Sequence, residues 1–213
     1  MFSSPARLEI DHRTIKLTIG LIALTLANVT SFFSSVPITS ISASYYEDGW
    51  ARNFFVGFLF AISAFMLAYN GESRKEMFLS KFAAAAALGV AMFPCGCDYH
   101  IEIIPYVHYI SAAVMFSILA AFCWIFRQRA VKKGHREALR RSKIYITCGF
   151  VIVTAMLTMA VDHITDSALA AIVPRLTFYC ERAGLVAFGI SWLTASRVLP
   201  AISSKNERFS PFA

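Results

Sequence analysis

Two ionisable side chains in this sequence stand just inside apolar runs, where water is scarce: His108, shortly after Pro105, and Glu181, shortly after Pro174. A carboxylate roughly two turns into an apolar medium needs a counter-ion, a hydrogen-bond donor or a proton of its own. Beside an imidazole it can serve as a general base or a ligand, so His108 and Glu181 form the candidate catalytic pair. The segments flanking them supply Tyr45, Tyr46, Arg52, Asp98 and Asp162, polar groups suited to holding a headgroup. His100, His108 and His163 could together hold zinc, whose bound water would be activated with Glu181 as base. Such a site requires at least three ligand atoms converging at about 2.0–2.2 Å. The Cys95-Gly96-Cys97 spacing lacks the second cysteine pair of a zinc knuckle. An oxidising exterior would allow a disulfide from Cys95 or Cys97 to Cys180, while Cys123 and Cys148 read as packing residues. Each polar group also has a plainer reading. Glu181 can hold helices together through an interhelical hydrogen bond, His108 can simply sit at the water interface, and the tyrosines can lie in a headgroup belt.

The elements that must position these residues follow from composition. The chain has 213 residues, 57% apolar, 15% charged and 14% aromatic, with mean hydropathy +0.59. A soluble domain carries roughly a quarter charged residues, so the expected class is an all-α, polytopic membrane bundle, with a single domain over 1–213. Backbone polar groups cannot go unpaired in hydrocarbon, which makes each long apolar run a helix. Six spans are expected: Ile15–Phe33, Phe54–Tyr69, Phe78–Phe93, Tyr106–Phe126, Ile144–Val161 and Leu176–Leu199. The second and third are short of the ~20 residues a span needs and should extend into Arg52-Asn53 and Glu76-Met77. The first is longer than a signal-peptide core and reads as an uncleaved anchor. Lys81 is expected to snorkel.

The net charge is +7, yet the basic residues lie in short connectors rather than on a nucleic-acid-binding face. With a cytoplasmic N-terminus, all Lys and Arg except Arg52, Arg175 and Arg182 fall inside, as the positive-inside rule requires. Both termini are then cytoplasmic, the connector Arg127–Lys143 is a basic loop, and the polar patch lies at the outer rim with no counterpart in the inner half. Localisation is a membrane: the inner membrane of a bacterium, or a plasma or endomembrane of a eukaryote. Pro105 and Pro174 fit the first turns of the fourth and sixth helices, and Pro94 closes the third. Ala83–Ala87 gives the third helix a face that a neighbour can approach closely. On the last helix Glu181, Gly184, Leu185, Phe188 and Trp192 share a stripe, with Arg182 pointing elsewhere. Gly-rich phosphate loops, G-x-S-x-G elbows and H-E-x-x-H motifs do not occur in the sequence.

Three short blocks carry a family resemblance. These are the Pro37–Ser42 loop leading to Phe55-Val56-Gly57-Phe58; Pro105-Tyr106-Val107-His108 followed by Ser111-Ala112-Ala113; and Cys180-Glu181 followed by Ala187-Phe188-Gly189. Together they resemble the FRAG/DRAM family of six-span membrane proteins, which includes damage-regulated autophagy modulators and GPI-anchor lipid-remodelling proteins. The resemblance implies a lipid-linked role and places weight on His108 and Glu181. Three functions remain open: a lipid-handling membrane protein with a polar pocket opening to the outer leaflet, a metal-dependent hydrolase or acyltransferase acting on lipid, and a non-catalytic scaffold or regulatory subunit. Membrane lipids are the expected partners.

Overall fold

The computed structural model describes residues 11–97 and 100–210, Lys205 by its backbone only. Asp98 therefore lies outside the described residues. The described chain is all-helical: α1 (His12–Phe33), α2 (Trp50–Ala68), α3 (Arg74–Met92), α4 (Val107–Lys133), α5 (Arg136–Ile164), the short α6 (Ala168–Ile172) and α7 (Leu176–Ser196). A 3-10 turn at Ser42–Tyr45 interrupts the long link from α1 to α2. The six long helices stand in a ring in chain order, and α7 closes it by packing on both α5 and α1. The short α2–α3 and α4–α5 links make those neighbours antiparallel. One end of the ring collects the 34–49, 93–106 and 165–175 segments and is called here the loop end. The other, the basic end, collects the start of α1, the α2–α3 and α4–α5 turns and the tail after α7.

Four helices, α1, α2, α4 and α5, are long and apolar enough to cross a membrane. Helices α3 and α7 have comparable length but no stretch as apolar, with Lys75, Glu76 and Lys81 in α3 and Glu181 and Arg182 in α7. Helices α2 and α3 begin at Trp50 and Arg74, taking in the polar flanks as expected. Pro105 and Pro174 each precede a left-handed residue, Tyr106 or Arg175, before the helix proper. They mark the approach to the helix and not its first turn. The expected basic loop Arg127–Lys143 is a correction: α4 continues to Lys133 and α5 starts at Arg136. Lys, Arg, Gln and Ala propagate a helix well, so only Gly134, at φ 73°, and His135, whose side chain caps the Ala138 amide, form the turn. Lys81 reaches the α2–α3 turn at the basic end. Its ammonium donates to the Leu67 and Tyr69 carbonyls and to Asn70 Oδ1, closing the C-terminus of α2.

Packing is tightest where α1 crosses α7. A Cβ on Gly20 would lie 3.0 Å from the Gly189 carbonyl oxygen, and one on Gly189 would lie 2.8 Å from the Gly20 oxygen. The two backbones touch through paired glycines, the close approach that small residues permit between apolar helices. Below this crossing Trp192 is fully buried, its ring 5.2 Å from Tyr69, 5.4 Å from Phe122, 5.8 Å from Phe126 and 5.3 Å from Phe188.

The basic end overturns the expectation that this half holds no comparable polar set. Glu76 is 2% exposed; it closes a capping box with Ser73 and accepts from the Tyr69 hydroxyl and from Arg129 of α4. Glu207, in the tail, accepts from Lys133, the fully buried Arg141 and Arg197. Helices that outrun the apolar segments bring these charges into mutual contact, which their places in the sequence do not reveal. Burial alone would raise Glu207, but the Lys133 hydrogen bond and the charges of Arg197, Lys133 and Arg141 outweigh it and hold the carboxyl down to about 2.

Two outcomes follow. Gly189→Val forces α1 and α7 apart, and its melting midpoint in detergent should fall by the equivalent of about 1–3 kcal/mol. Because its folded value is depressed, Glu207 contributes stability in full above about pH 4.5, and this is lost as pH falls toward about 2. Melts of wild type and Glu207→Gln should differ by on the order of 2–3 kcal/mol near neutrality and converge near pH 2.

Candidate functional site

The site is built from three segments of the loop end. The Pro37–Tyr45 stretch alternates apolar and hydroxyl residues, so it neither spans nor stays in solvent. It folds inward, burying Ile38, Ser40, Ile41, Ser42, Ala43 and Ser44. Its anchor is the start of α7: the Phe178 amide donates to the Thr39 carbonyl at 3.1 Å and Arg175 Nε donates to the Ile38 carbonyl at 2.7 Å. Helix α7 presents the expected stripe, with Gly184, Leu185, Phe188 and Trp192 buried and Arg182 exposed. Glu181 is thereby aimed at the folded-in loop. Helix α4 contributes His108, 4% exposed.

Glu181 and His108 do meet, through a residue that the sequence did not single out. The Ile41 amide donates to Glu181 Oε2 at 2.5 Å, and Ser42 Oγ lies 3.2 Å from Glu181 Oε1 and 3.0 Å from His108 Nε2. His108 Nδ1 is 2.8 Å from the Phe93 carbonyl oxygen. A carbonyl only accepts, so Nδ1 carries a hydrogen and Nε2 faces the serine. Ser42 has one hydroxyl hydrogen to give. Either a charged imidazole donates to Ser42, which donates to a carboxylate, or Ser42 donates to a neutral imidazole and receives from a protonated Glu181. The two arrangements hold the same number of protons. The chain Glu181–Ser42–His108 is therefore a relay that can shift one proton across the serine while its net charge stays zero, which suits an apolar surrounding.

The cavity beside this relay is small. Leu26, Ile41, Ser42, Phe55, Phe116, Glu181 and neighbouring apolar residues enclose about 30 Å3, room for about one or two water molecules. Tyr45, Tyr46 and Arg52 do not line it. Arg52 Nε donates to the Tyr45 carbonyl at 2.5 Å and its guanidinium lies over the Tyr45 ring. The Tyr46 hydroxyl donates to the Cys95 carbonyl at 2.5 Å and its ring stacks on His100 at 3.6 Å. These residues form a second group that staples the 34–49 and 93–106 segments together. Asp162 is buried on α5 and accepts from the Ala170 amide at 2.8 Å, fixing the turn into α6.

His100, His108 and His163 are not gathered: His100 stacks in the loops, His108 is buried and His163 is exposed on α5. Among the described residues no three His, Cys, Asp or Glu side chains cluster closely enough to hold a metal ion. The expected pairing of Cys95 or Cys97 with Cys180 is corrected. Cys95 bonds Cys97, whose Cα atoms lie 5.2 Å apart, and Cys180 is free; a partner two residues away is already within disulfide range. Sequence reasoning passed over Ser42 and the Ile41 amide. The signal available was the run Thr39-Ser40-Ile41-Ser42, too apolar to remain hydrated and too rich in hydroxyls for bare hydrocarbon.

If the relay is one network, Ser42→Ala leaves both Glu181 and His108 short of a partner and should cost about 1–3 kcal/mol. Adding Glu181→Gln should cost clearly less than the sum of the single changes, as read from detergent melts. Additive losses would show that no such network exists. The chain matches no family model, no curated protein and no solved structure.

Proposed function

We propose that this chain is a six-span, lipid-handling integral membrane protein with both termini cytoplasmic, and that the Glu181–Ser42–His108 relay at the outer rim is the part that meets a lipid headgroup. The observation that carries this reading is the convergence of two titratable side chains from different helices on one buried serine. Polar networks of this kind inside apolar bundles are costly, and they mark function more often than packing. The six-span count draws on side-chain exposure. Large apolar residues face outward on α3 and α7 as well as on the four apolar helices, among them Phe78, Phe82, Tyr179 and Ile190, as lipid contact requires. The charge distribution supports the orientation. The resemblance to the FRAG/DRAM family points to the same rim.

A second reading, acyl transfer or hydrolysis on a lipid ester, is favoured by one distance. Ser42 Oγ stands 3.0 Å from His108 Nε2, within reach for a base to activate a nucleophile, and the Phe93 carbonyl fixes the imidazole tautomer.

One experiment separates these readings. The purified protein is analysed for bound phospholipid, and a fluorophosphonate probe is applied in parallel. Lipid retained by wild type and reduced about tenfold or more in folded Glu181→Gln and His108→Ala protein supports lipid handling. Probe attachment at Ser42 that disappears in His108→Ala supports acyl transfer. Variants that fail to fold, with a lipid content that only follows protein yield, would replace both readings with a structural role for the relay.

A further inference from the structure

A second cavity lies not at the relay but at the basic end. It measures about 290 Å3 and lies between the start of α1, the turn after α2, the ends of α4 and α7, and the tail. Its lining includes four cations, Arg13, Lys16, Lys133 and Arg197, and three acids, Asp11, Glu72 and Glu207. Each acid already has a partner, and Glu207 takes up two of the lining cations. Glu207 accepts from Lys133, Arg141 and Arg197, Glu72 pairs with Arg129 at 3.1 Å, and Asp11 accepts from the Arg13 amide at 2.9 Å.

Lys16 is the exception. It is 7% exposed, and among the described residues its ammonium makes no hydrogen bond or ion pair. Glu72 favours it by its charge from beyond ion-pair distance, and its direct contacts are ring faces, 5.5 Å from the Tyr69 centroid and 5.3 Å from that of Phe126. Contacts of this type return about 2 kcal/mol when desolvated, whereas burying an ammonium costs several kcal/mol. The ring faces do not close that gap, and an anion entering the cavity would.

We propose that this cavity is a binding site for a phosphoryl group, with Lys16 as its inner cation and Arg13 at its mouth. A phosphoryl group carries enough charge and acceptor oxygens to engage both an ammonium and a guanidinium. The cavity is near the small end of ligand sites, which suits a headgroup or a small phosphorylated compound and not a nucleotide with its base. Basic pockets between helices at the cytoplasmic face are where anionic headgroups dock. The same chemistry is offered by an anionic phospholipid and by a free phosphate ester. The proposal is independent of the loop-end relay, which lies at the other end of the bundle.

The test uses the full chain. Inorganic phosphate and glycerol 3-phosphate are titrated against detergent-solubilised protein and against protein in phosphatidylcholine nanodiscs. A separate arm adds phosphatidic acid to the nanodiscs. Melting midpoint and binding isotherm are read in each. Wild type should bind at least one probe, Lys16→Met and Arg13→Gln should weaken that binding about tenfold or more, and Lys16→Arg should largely retain it. Response to the free esters identifies a soluble ligand, and response only to phosphatidic acid identifies a headgroup; either supports the site. No response in wild type to any probe, or binding by Lys16→Met equal to wild type, overturns it. Should Lys16→Met fail to fold, Arg13→Gln decides by the same criterion.

Discussion

A carboxylate set among apolar helices must be given donors, and at the loop end of this molecule that requirement shapes everything nearby. Glu181 is placed by the second turn of α7, where amides serve the helix, while the first-turn amide of Phe178 is given to the Thr39 carbonyl. The partners arrive from the Pro37–Tyr45 stretch, which turns inward so that the Ile41 amide and the Ser42 hydroxyl reach both carboxylate oxygens. Ser42 then becomes the bridge to His108. The inward fold leaves further polar groups to satisfy, and these needs account for the bonds from Arg175 to Ile38 and from Phe178 to Thr39. The loop conformation and the carboxylate position are thus mutually dependent.

The two ends of the bundle solve the same electrostatic problem differently. At the loop end a single carboxylate is met by neutral donors, with one imidazole beyond the serine, so hydrogen bonds and not direct ion pairs satisfy it. At the basic end acids and cations meet directly: Arg129 binds both Glu72 and Glu76, and Glu207 gathers Lys133, Arg141 and Arg197. The tail is held under the bundle by these bonds and by Arg141 donating to the Ile202 carbonyl at 2.6 Å. Lys16 stands apart from this scheme, which is why the cavity around it differs from a mere gap in packing.

Much of the fold is legible from local pattern. The apolar runs locate the helices, the polar flanks of the second and third runs show where they lengthen, and the spacing on α7 orients Glu181 inward and Arg182 outward. What escaped depends on contacts between segments far apart in the chain. Arg127–Lys143 looked like a loop because its charges mask good helix propensity. Tyr45, Tyr46 and Arg52 are close to Ser42 in sequence but belong to a different group, since a tight 3-10 turn sends Ser42 inward while Tyr46 binds the Cys95 carbonyl and Arg52 the carbonyl and ring of Tyr45. The charges of the basic end pair only once the ring has closed, and no spacing rule expresses that.

The ring closure also dictates where motion can occur. Helices α1 and α7 touch backbone to backbone at Gly20 and Gly189, and Trp192 fills the space beneath with aromatic neighbours on several sides. Separating these helices would open a void in a closely packed interior, at a cost of several kcal/mol. The relay cavity of about 30 Å3 cannot admit a headgroup as it stands, so any ligand reaching Ser42 must displace something. The Pro37–Tyr45 stretch is held by hydrogen bonds at its base, by the burial of Ile38 and Ile41, and by the Tyr46 staple just beyond its end. Lifting it would take the Ser42 hydroxyl and the Ile41 amide away from Glu181 at the same moment. A headgroup that enters must then replace those donors itself, and a cationic or hydroxyl-bearing headgroup does so where an apolar chain cannot. Under the proposed lipid-handling function, access and selectivity at this rim would come from the same bonds.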